Sequence, residues 1–186
     1  MIFEMRTYSF FPADLHKYLK HAEDVGRLVR GNDYGVNCGY WTSEFGRLNQ
    51  VWHLWRYESY AQREELRIKL SQNRDWVDGY LPVVQEWVRR MDIRIMNPHV
   101  PFATPQDEGN VYEYRYYRCA VGKAGNWIRH FKEALPNREN YSKIVGLWQT
   151  EIGQPNEVSH LWVYPDLNAR ADARARLGQD ESWREF

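Results

Sequence analysis

Two histidines occupy the same place in two copies of one sequence. His53 lies in Gly39–Tyr57, GYWTSEFGRLNQVWHLWRY, and His160 in Gly146–Tyr164, GLWQTEIGQPNEVSHLWVY, with 10 of 19 positions identical. Glu44 recurs as Glu151, and Glu4-x-Arg6-x-Tyr8 recurs as Glu113-x-Arg115-x-Tyr117. An imidazole carries protons near neutral pH. Burial raises a carboxyl's pKa and a nearby guanidinium lowers it. Strand alternation places His53, Trp55 and Tyr57 on one face, and His160, Trp162 and Tyr164 on the corresponding face. Aromatic walls of this kind hold a flat or apolar molecule. The set suits proton abstraction, isomerisation or cyclisation, or cofactor-free oxygen chemistry on an activated ring. His53 or His160 would be the acid/base, helped by Glu44 or Glu151. Arg6 or Arg115 would steady developing negative charge. Tyr8, Tyr117, Trp55, Trp162, Tyr57 and Tyr164 would hold the ligand. A plainer reading stays open: structural ion pairs, with each imidazole bonded to neighbouring backbone.

Other chemistries find little support. Neither histidine has a His-x-Glu or Cys-x-x-Cys partner at ligand spacing, so no metal is expected. There is no GxGxxG, Walker or GxSxG motif, and no cofactor is expected. A haem held by one axial histidine is the remaining cofactor alternative. The 25 basic residues balance 25 acidic ones, without the basic stripe that nucleic acid requires. No run approaches the ~18 apolar residues of a membrane helix. Cys38 and Cys119 fall at non-equivalent places in the two copies, which reads as reduced thiols in a cytoplasmic protein.

The elements that must position these residues follow from the repeat. Its period, about 107 residues, is too long for a solenoid unit and matches a small domain. The first copy spans 1–96, a connector rich in proline spans 97–110, and the second copy spans 111–186. Ile2–Phe10 alternates as a strand. Pro12 opens a helix. Strands near Cys38–Phe45 and Gln50–Tyr57 form a hairpin, a helix starts near Ser59, and Arg90–Met96 closes the copy as a strand. The second copy repeats this with a strand from Val111, a helix from Lys123 stopping near Pro136, a hairpin over Lys143–Tyr164 and a helix from Leu167. The fold class is therefore α+β: two ferredoxin-like βαββαβ repeats packed sheet to sheet, the second without its last strand. Ligand space is expected between the sheets. The arginines at Arg63, Arg67, Arg170 and Arg174 read as a solvated helix face. The glycines at 39, 46, 146 and 153 read as serving backbone geometry.

These same segments resemble the NIPSNAP family. The likeness rests on E-x-R-x-Y at Glu4–Tyr8, the hairpin at Gly39–Tyr57, R-D-W at Arg74–Trp76 and N-P-x-x-P-F at Asn97–Phe102. It continues in the second copy through G-x-W-x-x-E-x-G-x-x-N-E-V-x-H-L-W-x-Y. The resemblance implies dimeric α+β-barrel units, here in tandem, and no settled activity. The wider superfamily includes cofactor-free monooxygenases, cyclases, haem-dependent dehydratases and stress-response barrels. Two function classes follow. One is a protein that binds a small apolar or aromatic molecule and acts on it without a cofactor. The other is a non-enzymatic scaffold that docks other proteins. Because the second repeat is short, an open sheet edge and self-association as a homodimer or larger assembly are expected.

Overall fold

A computed structural model of the chain describes residues 1–105 and 109–184. Residues 106–108 of the expected connector, and the last two residues of the second repeat, lie outside the described residues. The chain divides into two compact units, Met1–Met96 and Asn97–Phe186.

In the first unit, β1 (Ile2–Ser9) leads through α1 (Pro12–His21) and a π-helical turn at Ala22–Gly26 into α2 (Arg27–Arg30). The hairpin β2 (Val36–Thr42) and β3 (Gln50–Tyr57) follows, then α3 (Tyr60–Gln72), a second π-helical turn at Asp75–Tyr80, α4 (Leu81–Trp87) and β4 (Arg90–Pro98). The antiparallel strands lie in the order β2-β3-β1-β4, which is the ferredoxin-like arrangement. Local chemistry explains the ends. Pro12 sits in the first turn of α1, where its missing N–H costs nothing. Ser59 caps α3 by accepting from the Gln62 amide at 3.1 Å.

The second unit holds β5 (Val111–Arg118), α5 (Ala124–Arg138), β6 (Lys143–Ile152), β7 (Glu157–Tyr164), α6 (Leu167–Leu177) and the short α7 (Glu181–Arg184). Its strands run β6-β7-β5. Asp166 caps α6 through the Ala169 amide at 2.8 Å. Among its described residues no strand follows α6. β1 lies between two strands and is buried over its first six residues, whereas β5 pairs with β7 and is only half-buried.

The two hairpins share a further detail. Pairing shifts by one residue at Cys38 and again at Val145, leaving the same β-bulge in both copies. One residue later a glycine lies beneath a tryptophan ring: a Cβ on Gly39 would enter the indole of Trp41, and one on Gly146 the indole of Trp148. These two glycines make room for a ring, where the sequence suggested backbone geometry. Gly46 and Gly153 do adopt positive φ, at 82° and 102°.

Several boundaries differ from the sequence reading. The first hairpin strand ends at Thr42, not Phe45, because Ser43 turns inward and bonds the Arg47 carbonyl. The stretch after Asn73 is helical almost throughout. Pro82 does not stop it because it stands in the first turn of α4. Likewise α5 runs past Pro136 to Arg138. A proline this close to a helix end removes one hydrogen bond without ending the last turn, and Arg138 is anchored elsewhere. The proline-rich stretch is also tied down, since the His99 amide donates to the Leu147 carbonyl at 2.8 Å and that of Ala103 to Val145 at 2.9 Å.

Candidate functional site

Alternation along β1 places Ile2, Glu4, Arg6 and Tyr8 on one face, and β3 places Val51, His53, Trp55 and Tyr57 beside them; Arg6 lies opposite His53 in register. The helices of the same unit cover this face. Tyr18 from α1, Arg30 from α2 and Arg63 from α3 all reach it. The twinned polar residues thus sit under their own helices. This corrects the expectation that they face another sheet: the first helix pair of a ferredoxin-like unit crosses the face that carries these side chains.

Glu4 is fully buried. Its carboxylate accepts from Arg6 Nη1 at 2.8 Å and from Arg63 Nε. Burial pushes the Glu4 carboxyl up, but the charges and hydrogen bonds of Arg6 and Arg63 outweigh it and hold the pKa below the ordinary value. Arg6 Nε donates to the Tyr8 hydroxyl at 2.8 Å. Arg30 lies flat over the Trp55 ring, 3.4 Å from its centroid, and donates from Nη2 to the Tyr57 hydroxyl at 3.0 Å.

His53 is the centre of this layer. Its Nδ1 lies 2.5 Å from the Trp55 indole nitrogen. An indole N–H can only donate, so Nδ1 must be the bare nitrogen and Nε2 must carry the hydrogen. That Nε2–H is buried and has no hydrogen-bond partner among the described residues. Burial, with the charges of Arg6 and Arg30, drives the pKa of His53 well below its ordinary value. With Nδ1 taken by the indole, the imidazole is neutral and presents its buried Nε2–H as a hydrogen-bond donor. Tyr8 meets the ring edge-on at 4.8 Å and Tyr40 stacks on it at 4.9 Å. The Tyr40 residue is 39% exposed, yet its hydroxyl is sunk 2.6 Å from that of Tyr18. Burial pushes both phenols up. Nearby, the two π-helical turns meet where the Tyr80 ring closes on Gly26 and stacks at 5.3 Å with His21.

The second unit repeats the set in a different setting. Trp162 donates to His160 Nδ1 at 2.5 Å, and Arg115 Nε to Tyr117 at 2.8 Å. Glu113 receives Arg170 at 2.5 Å and Arg115 at 3.4 Å. Arg138 stacks over Trp162 at 4.3 Å and donates to Tyr164 at 3.0 Å. Burial and the Arg115 charge lower the His160 pKa to about 3. Here, however, Phe131 stacks on the imidazole at 4.9 Å and Trp127 at 6.0 Å, so α5 fills the layer with rings.

Of the sequence candidates, the structure brings together Arg6, Tyr8, His53, Trp55 and Tyr57, and in the same way Arg115, Tyr117, His160, Trp162 and Tyr164. Glu44 and Glu151 stand apart, exposed toward the hairpin tips beyond Thr42 and Thr150. The arginines of α3 and α6 are not simply a solvated face, because Arg63 and Arg170 turn in to the buried carboxylates. Sequence reading missed Arg30 and Arg138. Their signal was Arg-x-Asn, at Arg30–Asn32 and Arg138–Asn140, displaced by one residue between the copies.

No group of three or more potential metal ligands occurs among the described residues. None of their helices is long and apolar enough to cross a membrane. A hollow of about 400 Å³ opens in the second unit beside Asn110, Tyr141, Lys143 and Tyr164, and one of about 180 Å³ adjoins it across Lys143 and Val163. Tyr164 is four residues from His160, roughly 13 Å along the strand, so this hollow touches the end of the second set and not its imidazole.

Comparison with known proteins agrees with this architecture. The NIPSNAP family model matches residues 3–103 and 112–186. Human NipSnap homolog 3A is 30% identical over 185 residues, covering 97% of this chain and 74% of that protein. A crystal structure of a NIPSNAP family protein from Agrobacterium tumefaciens is 30% identical over 53% of this chain and 92% of its own, with a TM-score of 0.51. An anthrone oxidase-like protein matches 99% of this chain and 82% of its own with a TM-score of 0.68, at 11% identity. That last likeness shows the fold alone, and it is the α+β class expected above. By a model that matches both repeats, the chain belongs to the NIPSNAP family.

Proposed function

We propose that the first unit binds a small planar molecule in the layer between its sheet and helices, and polarises an oxygen of that molecule through the His53 Nε2–H. One observation carries this reading: a buried N–H with no partner, fixed in direction because Trp55 holds the other ring nitrogen. A buried donor left unpaired costs about 1–3 kcal/mol, and a ligand oxygen would recover it. Proton transfer, cyclisation and cofactor-free oxygenation all pass through an oxyanion on the substrate, which is the species a neutral imidazole donor stabilises. Tyr8, Tyr40 and Trp55 supply flat walls. Tyr40, on the edge strand β2, is the half-exposed ring that stacks on His53. The paired π-helical turns add support, as such turns occur often at functional sites.

The second unit favours the other class, a structural or docking role, since α5 rings occupy the space beside His160. The test uses the purified chain incubated with a cell-metabolite extract, washed, denatured and analysed by mass spectrometry. The wild type and His160→Gln are expected to retain a common small molecule that His53→Gln loses. Equal retention by His53→Gln, or no retained molecule at all, refutes the proposal.

A further inference from the structure

We infer that the ligand of the first unit is a planar organic anion, its charged group taken by Arg30 and Arg67 while His53 holds a second oxygen. The inference rests on the binding reading above and adds the charge of the molecule bound. Four guanidinium groups, those of Arg6, Arg30, Arg63 and Arg67, gather around one carboxylate, that of Glu4. Arg6 and Arg63 are satisfied by it. Arg30 is buried, and its stacking on Trp55 and bond to Tyr57 account for one face and one nitrogen. Its Nε is buried with no partner. Arg67 lies one helical turn beyond Arg63 on α3 and is half-buried, with no ion pair among those found between described residues.

A surplus of buried positive charge is expensive, because each ion taken from water costs several kcal/mol unless countered. Burial and the mutual repulsion of these groups already lower the pKa of both Arg30 and Arg67. The second unit carries the same four arginines and one glutamate, as Arg115, Arg138, Arg170, Arg174 and Glu113, yet relieves the charge differently. The Arg115 and Arg170 side chains are each 32% exposed and Arg174 is exposed, so water screens them. In the first unit Arg6 and Arg30 are buried, and among the described residues both Arg30 Nε and His53 Nε2 in that layer are without a partner. An anion satisfies both Arg30 Nε and the charge, and the flanking rings of Tyr8, Tyr40 and Trp55 select a flat one. A conjugated or aromatic carboxylate meets every requirement.

The test titrates the full chain at low ionic strength with benzoate, benzamide and inorganic phosphate, following tryptophan fluorescence and calorimetry. Benzoate is expected to saturate the site and to bind at least tenfold more tightly than benzamide, the ratio a charge-assisted hydrogen bond supports. Arg67→Gln should remove about tenfold of benzoate affinity and leave benzamide unchanged, and Arg67→Lys should restore part of it. Equal binding of benzoate and benzamide, both indifferent to Arg67→Gln, overturns the anion while leaving a neutral ligand in place. Tighter binding of phosphate than of benzoate overturns the planar class, and silence from all three probes overturns the inference.

Discussion

Lowering the pH from 7.5 to 5.0 should destabilise this protein through its two buried imidazoles. Each is neutral when folded, with Nδ1 accepting a tryptophan N–H and so unable to take up a proton without breaking that bond. The folded pKa of His160 is about 3, and that of His53 is also well below the ordinary value. An unfolded histidine titrates near 6.5. The unfolded chain therefore binds protons first as pH falls. The stability conferred by the neutral imidazoles is complete above about pH 6.5 and drains away as pH falls toward the folded value. For its shift from about 6.5 to about 3, the His160 imidazole loses about 2 kcal/mol between pH 7.5 and 5.0, and His53 adds a loss of the same sign. Glu4 and Glu113 have lowered pKa values and stay ionised over this window, so they do not contribute. Urea unfolding followed by tryptophan fluorescence reads the effect. With a slope of about 2 kcal/mol per molar, the midpoint falls by at least about 1 M. The double variant His53→Gln/His160→Gln should lose most of the dependence, leaving only a residue from His99, whose pKa is also lowered. A wild-type shift under about 0.5 M, or a double variant that keeps the full shift, refutes the assignment of neutral buried imidazoles.

Other perturbations separate the two units. Glu4→Gln leaves Arg6 and Arg63 without their carboxylate in a dry layer and should cost about 3–5 kcal/mol by urea unfolding. Glu113→Gln should cost less than half as much, because Arg115 and Arg170 already meet water. Gly146→Ala must push the fully buried Trp148 ring aside and should lower stability by about 1–3 kcal/mol. Gly39→Ala meets the half-exposed Trp41, which can swing outward, and should cost less than Gly146→Ala; a thermal melt of each variant reads the order.

The fold was legible in the sequence because the repeat shows each element twice and alternation fixes the strands. Gln50–Tyr57 comes out as β3 without change. The helical stretch over 75–87 was hidden because Gly79 and Pro82 look like breakers, and a π-helical turn shifts the apolar period from the one an α-helix shows. The candidate site was half legible. Strand alternation groups Glu4, Arg6, Tyr8, His53, Trp55 and Tyr57 correctly on one face. It cannot say whether helices or another sheet cover that face, since both sides of β1 are buried and apolar patterning is the same either way. Nor can it reveal which nitrogen of His53 is free, because that depends on a tryptophan two residues along folding back. Glu44 was attractive as a repeated carboxylate, but its repetition accompanies an exposed hairpin end and not the buried layer.

The contrast between the two units bears on how a duplicated fold divides its work. Both retain the glutamate, the four arginines, the histidine and the tryptophan that locks it. A purely structural role would let both copies pack these groups to the same degree. Instead the second copy stacks Phe131 and Trp127 on its imidazole and exposes its arginines. The first copy buries the charge, leaves His53 Nε2 and Arg30 Nε unsatisfied, and distorts two helices into π-turns around Tyr80. Unsatisfied buried donors and irregular helices both oppose stability, and in the first unit they occur together. On the binding reading proposed above, substitution in the first unit should change ligand retention, while substitution in the second should act chiefly on stability.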